Sequence, residues 1–358
     1  MKTSERKLLL NAEPFGFGPS AAVASFFPFL RNAFQCIGYL GKNHTLDLQK
    51  DLPYDALHDI SDMTDEQADE IIAEYDVFFT VLDCEMAERA LALGLKVIMY
   101  DPLTWYWHEV PACIKRVNLY LTQDFFGVRE RLANEPTLFP PDVHVVPSIV
   151  RAVEEKEEPQ YVLINLGGLQ NPLWSVEDTE QYARVVIQAL QGSISANELI
   201  IATSSAVAMR LDDPRVRSYS REKMGEIMKA SKYAFMTPGL GNIYDVAAFD
   251  LPTVWLPPAN DSQGQQLHIL GKHDMADAWV DWEDMGHPIN YWDDQPRVLD
   301  TIRNAIHSAE FGELFGGMAE KAHATVMDKE TSQTSALLSE FGTGGAEEVA
   351  KRVIEFCS

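Results

Sequence analysis

Basic residues are scarce in this sequence. The 358-residue chain has 29 Lys and Arg against 54 Asp and Glu, which gives a formal net charge of −25 at pH 7. A surface this acidic repels nucleic-acid backbones and anionic membranes, so we expect no nucleic-acid partner. A nucleotide ligand would need local compensation from helix N-termini or from a few placed Arg and Lys side chains. High solubility alone is the other explanation of the same charge.

Long apolar runs and closely spaced cysteines are also missing. No uninterrupted apolar run approaches the roughly 20 residues of a membrane span, and the run near the N-terminus is short. We therefore expect neither a membrane span nor a signal peptide. The four cysteines Cys36, Cys84, Cys113 and Cys357 lie far apart and form no Cys-x-x-Cys pair. This spacing predicts no structural zinc, no disulfide framework and a reducing, cytoplasmic location.

Short apolar runs alternate with amphipathic stretches along the chain. The predicted strands are 7–12, 76–82, 96–100, 117–122, 143–146, 161–166, 198–203, 233–237 and 253–257. The predicted helices are 21–33, 65–74, 85–93, 127–133, 177–191, 221–230 and 345–356. Continuously apolar strands that alternate with helices predict an α/β protein with doubly wound, mostly parallel sheets.

A charged break divides this series into two domains. Residues 151–160 (RAVEEKEEPQ) show no apolar periodicity and are predicted to form a linker. We expect a first Rossmann-like domain over 1–150 and a second over 161–342, since the length suits two domains. After a Gly-rich break, residues 343–358 hold a terminal helix that we assign to the first domain.

The most informative segment follows the predicted strand that ends at Thr237. The sequence then turns through Pro238, Gly239, Leu240 and Gly241 into a helix predicted to begin near Asn242. A strand, a Gly-rich turn and a helix start place unpaired backbone N–H groups at the positive end of the helix. This arrangement predicts a phosphate cradle that needs no basic surface. The alternative is that the glycines only permit a tight turn.

Polar residues downstream extend this pattern. Asp245 lies about one turn into the helix, where a carboxylate could accept hydrogen bonds from ribose hydroxyls. Gln265 and Gln266 are predicted to start a further helix, and their amides both donate and accept, which suits sugar hydroxyls. Taken singly, each of these residues is more typical of a solvated surface.

The order Gly239, Asp245, Leu251–Pro252, Pro257 and Gln265–Gln266 resembles the donor site of GT-B glycosyltransferases. The similar enzymes are of the peptidoglycan GlcNAc-transferase and UDP-glycosyltransferase type. The resemblance implies two Rossmann-like domains facing a central cleft, with the C-terminal helix crossing back to the first. It also implies a nucleotide-sugar donor, and UDP-linked sugars are the donors of these similar enzymes. In them the acidic residue binds the ribose, and the glutamines bind the sugar.

Two further parts of the family pattern match between residues 161 and 280. The turn with Gly167 and Gly168 resembles the glycine turn that faces the cleft, and Arg217 lies in the stretch that approaches the nucleobase. The chain departs from the pattern at Pro238, where plant-type members carry His. It departs again at Asp245, where many members have the longer Glu.

The loop after the first strand is a candidate acceptor site. Gly16, Phe17 and Gly18 resemble the glycine-rich loop where acceptors approach in GT-B enzymes. Many relatives carry a catalytic His in this loop, and this chain has none there. Glu13, at the carboxyl end of the first strand, is the nearest candidate for the general base. The alternative is a loop carboxylate that only binds backbone N–H groups.

A second candidate cluster follows the strand that ends at Asp101. Trp105, Trp107 and His108 come within the next seven residues, and aromatic faces there could stack an acceptor. We name Asp101 and His108 as alternative catalytic residues. A packed aromatic corner with a structural His is the competing interpretation. Asp83 and Glu85, which follow another strand, are candidates for the same role that rank after Glu13, Asp101 and His108.

No Asp-x-Asp metal motif stands at a strand end, and the acidic segments 281–284 and 292–294 are predicted to be exposed loops. We therefore expect no metal and no cofactor. The resulting hypothesis is a glycosyltransferase that moves a sugar from a UDP-sugar to a small soluble acceptor, such as a nucleoside or other natural product. A nucleotide-sugar epimerase and a non-catalytic nucleotide- or sugar-binding regulator remain as alternatives.

Overall fold

The computed structural model describes residues 5–151, 153, 157–167, 169, 174–192, 194 and 198–358. The chain divides into two compact units, Met1–Val150 with Phe341–Ser358 and Arg151–Glu340. Below they are called the first and the second unit. Residues 152 and 154–156 of the predicted linker, and Gly168 of the predicted donor site, lie outside the described residues.

In the described part of the first unit, seven strands form one parallel sheet. The strands are β1 (Lys7–Ala12), β2 (Cys36–Gly41), β3 (Ala56–Asp59), β4 (Val77–Val81), β5 (Lys96–Asp101), β6 (Leu119–Gln123) and β7 (Val143–Val146). The helices between them are α1 (Gly18–Leu30), α2 (Asp65–Ile72), α3 (Cys84–Ala92) and α4 (Val128–Asn134). The strand order β3-β2-β1-β4-β5-β6-β7 changes direction between β1 and β4. In such sheets ligands bind outside the carboxyl ends of the strands at this switch point.

The second unit repeats the plan with a sheet of six parallel strands among its described residues. The strands are β8 (Tyr161–Asn165), β9 (Leu199–Ala202), β10 (Val216–Arg217), β11 (Ser231–Met236), β12 (Thr253–Trp255) and β13 (Ala278–Trp279). The helices are α5 (Val176–Gln191), α6 (Ser205–Leu211), α7 (Arg221–Lys229), α8 (Leu240–Phe249), α9 (Asp261–Lys272), α10 (Gln295–Ile306), α11 (Phe311–Val326) and α12 (Ala336–Phe341). The order β10-β9-β8-β11-β12-β13 puts the switch point between β8 and β11.

The prediction of two doubly wound α/β sheets is confirmed. The central strands are buried on both faces: five of the six residues of β1 are buried, and all five of β4 are. Apolar runs therefore revealed them. The strands that the sequence analysis missed are β2 and the edge-forming β3, β10 and β13, which have at most six residues. Short edge strands such as β3, β10 and β13 bury too little surface to leave a continuous apolar signal. β2 lies inside the sheet and is buried, but Gly38 and Gly41 interrupt its apolar run.

The C-terminal helix α13 (Gly345–Cys357) packs on α1 of the first unit, as the resemblance implied. Val349, Ala350 and Val353 join the same hydrophobic cluster as Val23 and Phe26 of α1. The apolar stripe of the last helix is thus part of the core of the unit that begins the chain.

The expectation that the cysteines form no disulfide was wrong. Cys84 and Cys113 form one, with their Cα atoms 5.8 Å apart and a sequence separation of 29. Cys84 opens α3 directly after β4, and Cys113 lies in the loop after the neighbouring β5. Strand pairing brings them together, and spacing along the chain does not show this. The inference from cysteine spacing to a reducing compartment therefore loses its basis.

None of the helices in the described residues has the length and apolar character needed to cross a membrane.

Candidate functional site

The N-terminus of α8 lies at the switch point of the second unit. β11 ends at Met236, and α8 begins at Leu240, two residues before the predicted start near Asn242. Gly239 is the N-cap residue, and no side chain in the described part of the chain caps this end. The N–H groups of the first turn therefore lack the side-chain acceptor that usually satisfies them.

The glycines at this end are not explained by the turn. Gly239 has an ordinary φ of −78°, and Gly241 lies inside the helix. A Cβ added at either residue would meet no atom of the described part of the chain within 4 Å. Neither backbone strain nor internal packing requires glycine here, so the alternative that they only permit a tight turn finds no support. The two positions leave the helix end open to a ligand that contacts the backbone.

Asn242 and Thr237 tie this end to the neighbouring strand. The Asn242 Nδ2 donates to the carbonyl oxygen of Thr237 at 2.8 Å, and its Oδ1 accepts from Asn165 Nδ2 at 3.3 Å. Asn165 Oδ1 also accepts from the backbone N–H of Gly167 at 2.9 Å, and the Thr237 hydroxyl donates to the Gly167 carbonyl. The structure thus brings the predicted site residues Gly167, Thr237 and Asn242 together, with Asn165 beside them. Asn242 supports the glycine turn, since both ends of its amide are engaged.

Asp245 lies on α8, six residues after Gly239, and it has an unexpected partner. Arg151 Nη2 is 3.4 Å from Asp245 Oδ2, and the Arg151 Nη1 donates to the carbonyl oxygen of Arg221. Burial raises the pKa of Asp245, and the charges of Arg151 and Arg221 oppose that rise. Sequence reasoning missed Arg151 because it stands in the stretch that resembled a linker, 94 residues before Asp245. The two cations Arg151 and Arg221 provide local positive charge near Asp245 in this acidic chain.

The other predicted donor residues lie either on the surface (Arg217) or buried inside the unit (Gln265 and Gln266). Arg217 is exposed, and its Nε donates to the carbonyl oxygen of Pro214 at 3.2 Å. Gln265 Nε2 donates to the carbonyl oxygen of Tyr291 at 2.7 Å, deep in the unit. Gln266 is also buried, and its Oε1 has no hydrogen-bond partner among the described residues.

The prediction that Gln265 and Gln266 start a helix was wrong by one turn. α9 begins at Asp261, where the Asn260 side chain caps it by accepting from the N–H of Gln263 at 2.9 Å. The N-cap asparagine is the sequence signal that could have corrected the boundary. The two glutamines therefore lie in the second turn of α9 rather than at its N-terminus.

The prediction that 281–284 is an exposed acidic loop was wrong for its first half. Asp281 and Trp282 are buried. Asp281 Oδ1 accepts from the Tyr291 hydroxyl at 2.6 Å, and Oδ2 pairs with His268 Nε2 at 2.7 Å. Although burial opposes it, these hydrogen bonds hold the pKa of Asp281 below its usual value. Asp281 thus anchors the segment around Tyr291 to α9, and acidic composition alone could not show this.

In the first unit, Glu13 follows β1 at the switch point. Its backbone N–H donates to the carbonyl oxygen of Val81 at 2.9 Å, which holds it beside the end of β4. Burial, and then the nearby carboxylates of Asp83 and Glu85, raise the pKa of Glu13 to about 7. Asp83 caps α3 by accepting from the Met86 N–H at 3.0 Å, and burial raises its own pKa to about 6. A carboxylate that titrates near neutrality suits a general base.

The glycine loop of the first unit receives a histidine that the sequence analysis did not consider. His44 lies in a short 3₁₀ helix after β2, and its Nε2 is 2.7 Å from the carbonyl oxygen of Gly16. Its ring meets Phe17 edge-on at 5.2 Å between centroids. Gly16 has a positive φ of 61°, and a Cβ at Gly18 would meet nothing within 4 Å. The loop lacks a histidine in sequence, but the 3₁₀ helix after the neighbouring strand β2 supplies one in space.

The cluster after β5 is a packed aromatic corner. Asp101 is fully buried and accepts from Tyr120 Oη at 2.6 Å, Trp107 Nε1 at 2.7 Å and the Leu103 N–H at 2.6 Å. Trp105 donates to the Pro102 carbonyl at 3.1 Å and packs on Phe125. His108 is exposed. Asp101 therefore serves as a structural hydrogen-bond acceptor, and its oxygens are committed within the unit.

Comparison with known proteins gives a fold and no sequence relative. No protein-family model matches the chain, and no curated protein matches it in sequence. MurG of Acinetobacter baumannii is structurally similar with a TM-score of 0.53 at 12% identity, over 98% of this chain and 99% of that one. A UDP-glucosyltransferase from Polygonum tinctorium is similar with a TM-score of 0.51 at 14% identity, over 99% and 100%.

A putative UDP-N-acetylglucosamine 2-epimerase from Listeria monocytogenes is similar to the same degree. Its TM-score is 0.53 at 11% identity, over 98% of this chain and 95% of that one. These likenesses confirm that the chain has the GT-B fold that its motifs resembled. Because transferases and an epimerase share the fold, the activity has to be argued from the sites.

Proposed function

We propose that this protein is a glycosyltransferase that moves a sugar from a nucleoside diphosphate sugar to the hydroxyl of a small acceptor. The observation that carries the proposal is the open N-terminus of α8, where the Cβ positions of Gly239 and Gly241 have no neighbour within 4 Å among the described residues. A diphosphate bound there receives backbone N–H hydrogen bonds and the positive end of the helix dipole. In a chain of net charge −25, this is a local way to hold such an anion.

Asp245 supports a nucleotide rather than a free diphosphate. It lies six residues beyond Gly239, about 9 Å along α8 at 1.5 Å per residue. The phosphates and the ribose of one nucleotide can therefore contact the same helix. Its side chain is 25% exposed, so it is not sealed inside the unit. UDP is our choice of nucleotide because it is the donor of the transferases whose motifs this chain resembles.

Glu13 is the proposed general base. Its carboxylate takes the proton of the acceptor hydroxyl, and the acceptor oxygen forms a bond to the anomeric carbon of the sugar. The bond from that carbon to the diphosphate breaks, and its electron pair leaves with the nucleotide. The N–H groups at the start of α8 stabilise the charge that develops on the leaving diphosphate. With a pKa of about 7, Glu13 is partly ionised at neutral pH and still basic enough to accept a proton.

The donor is tested with a panel of UDP-, dTDP-, GDP- and ADP-linked sugars. We expect UDP-sugars to raise the melting temperature and to be slowly hydrolysed to UDP without acceptor. A chain that is neither stabilised by any donor nor able to release nucleotide would refute the transferase. A protein that binds a donor but transfers its sugar to none of the acceptors screened would favour the non-catalytic nucleotide- or sugar-binding regulator.

The epimerase alternative rests on the Listeria fold neighbour and has its own signature. An epimerase inverts the configuration at C2 of the bound sugar. Proton NMR of incubated UDP-N-acetylglucosamine would show the C2 epimer. A transferase should give no epimer and should release UDP only by breaking the anomeric bond.

A further inference from the structure

Arg151 is seated between α7 and α8 of the second unit. Its Nη2 is 3.4 Å from Asp245 Oδ2, its Nη1 donates to the carbonyl oxygen of Arg221, and its guanidinium carbon lies 5.9 Å from the centroid of the Phe249 ring. Its side chain is 18% exposed. Contacts with a carboxylate, a carbonyl and an aromatic face fix the guanidinium from three directions.

Gly225 of α7 makes room for this guanidinium. A Cβ at Gly225 would lie 3.0 Å from Arg151 Nη1 and 3.6 Å from Phe249 Cζ. Glycine is otherwise unfavourable inside a helix, and the backbone of α7 does not need it for a positive φ. The slot is therefore shaped for Arg151.

Asp245 keeps free acceptor capacity in this arrangement. The described residues give its carboxylate one hydrogen bond, the one from Arg151 to Oδ2. An ionised carboxylate has about four lone-pair sites, so acceptor positions remain on both oxygens. The charged groups that face it are Arg151, which precedes β8, and Arg221 of α7.

We propose that Arg151 is a positioning residue that orients Asp245, so that the free oxygens of this carboxylate bind the ribose hydroxyls of the nucleotide. The inference rests on the proposed function for the presence of a nucleotide at α8. It assigns the ligand class as ribonucleotide rather than deoxyribonucleotide, because a 2′-deoxy sugar leaves the oriented carboxylate without one hydroxyl donor. We assign no other residue of the segment 151–160 to the site.

The test compares the affinities of UDP and 2′-deoxy-UDP by calorimetry. The wild-type protein should prefer UDP by about tenfold, the value of a hydrogen bond to a charged group. Both Asp245→Asn and Arg151→Gln should remove most of this preference, because each should weaken the binding of UDP more than that of 2′-deoxy-UDP. The double variant should bind like Asp245→Asn alone, because Arg151 acts through Asp245.

Two variants guard against simple misfolding. Gly225→Ala keeps both charged residues but crowds Arg151, so it should reduce the preference for UDP while α7 gains helix propensity. Arg297→Gln is the matched control, since Arg297 is 72% exposed and pairs with Asp293 one turn earlier. It should leave both affinities unchanged.

Three outcomes would overturn the inference. The first is that Arg151→Gln lowers the affinities for UDP and 2′-deoxy-UDP equally. The second is that the double variant binds UDP more weakly than Asp245→Asn does. In either case the nucleotide site would stand without a role for Arg151 in reading ribose. Failure of the wild-type protein to bind either nucleotide would instead refute the proposed function and this inference together.

Discussion

The Nε2 of His44 lies 2.7 Å from the carbonyl oxygen of Gly16. A carbonyl oxygen only accepts, so Nε2 must carry the hydrogen and donate. The contact holds a glycine with a positive φ of 61° in the loop that follows β1. An imidazole is thus placed at the candidate acceptor loop from a different strand.

His44 should therefore determine the order of the glycine loop. His44→Gln keeps an N–H donor near the position of Nε2, whereas His44→Ala keeps none. We expect faster amide hydrogen exchange over residues 16–18 in His44→Ala and near wild-type exchange in His44→Gln. Mass spectrometry of the exchanged peptides measures this without any substrate. Equal exchange in both variants and the wild type would show that the contact does not order the loop.

Replacing Gly241 should separate stability from ligand binding. Gly241→Ala adds a methyl into open space at the start of α8, so the free energy of unfolding should rise, by at most about 1 kcal/mol. The same methyl stands where a diphosphate would contact the backbone, and UDP affinity should fall roughly tenfold. Denaturant unfolding and calorimetry measure the two effects. Gly317→Ala, at an exposed position of α11, is the control that should be no less stable and should bind UDP normally.

Glu13 predicts a pH dependence of transfer. Its pKa of about 7 means that the base form grows as pH rises through neutrality, so kcat/KM should rise to a plateau above pH 8. Glu13→Gln should lower the rate roughly 100-fold or more on the plateau above pH 8, and by less at low pH, where the wild-type base is protonated. Asp83→Asn removes a neighbouring charge that raises the pKa of Glu13, so the rise should move to lower pH. An unchanged pH profile in Glu13→Gln would exclude it as the base.

The raised pKa of Glu13 also predicts that the stability of the folded state falls as pH rises, whereas the rate of transfer increases. Between the ordinary value of 4.5 and about 7, folded Glu13 retains its proton while the unfolded chain has lost it. The stabilising contribution of the neutral form is therefore lost as pH rises through about 7. Thermal unfolding at pH 6 and pH 8 should show a smaller loss of melting temperature in Glu13→Gln than in the wild type. A loss of equal size would contradict the raised pKa.

Gly264 should tolerate no side chain. A Cβ there would lie 2.1 Å from the ring of Tyr291, which packs on α9 and is itself held by Asp281 and Gln265. Gly264→Ala should lower the free energy of unfolding by about 1–3 kcal/mol through overpacking, despite the better helix propensity of Ala. Chemical denaturation measures this, with Gly317→Ala as the control without a close neighbour. Stability equal to that of the control would show that Tyr291 moves aside freely.

The disulfide gives a prediction for the first unit. Closing a loop of 29 residues should stabilise it by about 3 kcal/mol, so reductant should lower its unfolding midpoint. Cys113→Ala should start from the lower midpoint and should not respond to reductant. Alkylation followed by peptide mass mapping checks the pairing of Cys84 with Cys113. Free thiols at both positions in the unreduced protein would refute it.

The sequence by itself determined the elements whose signals are local. Apolar runs such as 7–12 and 161–166 marked the central strands because those strands are buried on both faces. Gly239 and Gly241 marked the open start of α8 because a helix end is defined by residues adjacent in the chain. Asp245 followed from the same helix, at a fixed distance from its N-terminus.

Only the tertiary structure decided which side chains meet. Arg151 reaches Asp245 across 94 residues, and His44 reaches Gly16 from a neighbouring strand. Burial of Asp101 among Tyr120 and Trp107 turned a predicted catalytic carboxylate into a structural acceptor. Spacing along the chain carries no record of such contacts, because they arise when parallel strands align ends that are distant in sequence. The same alignment places Glu13 beside Asp83 and so shifts its pKa toward neutrality.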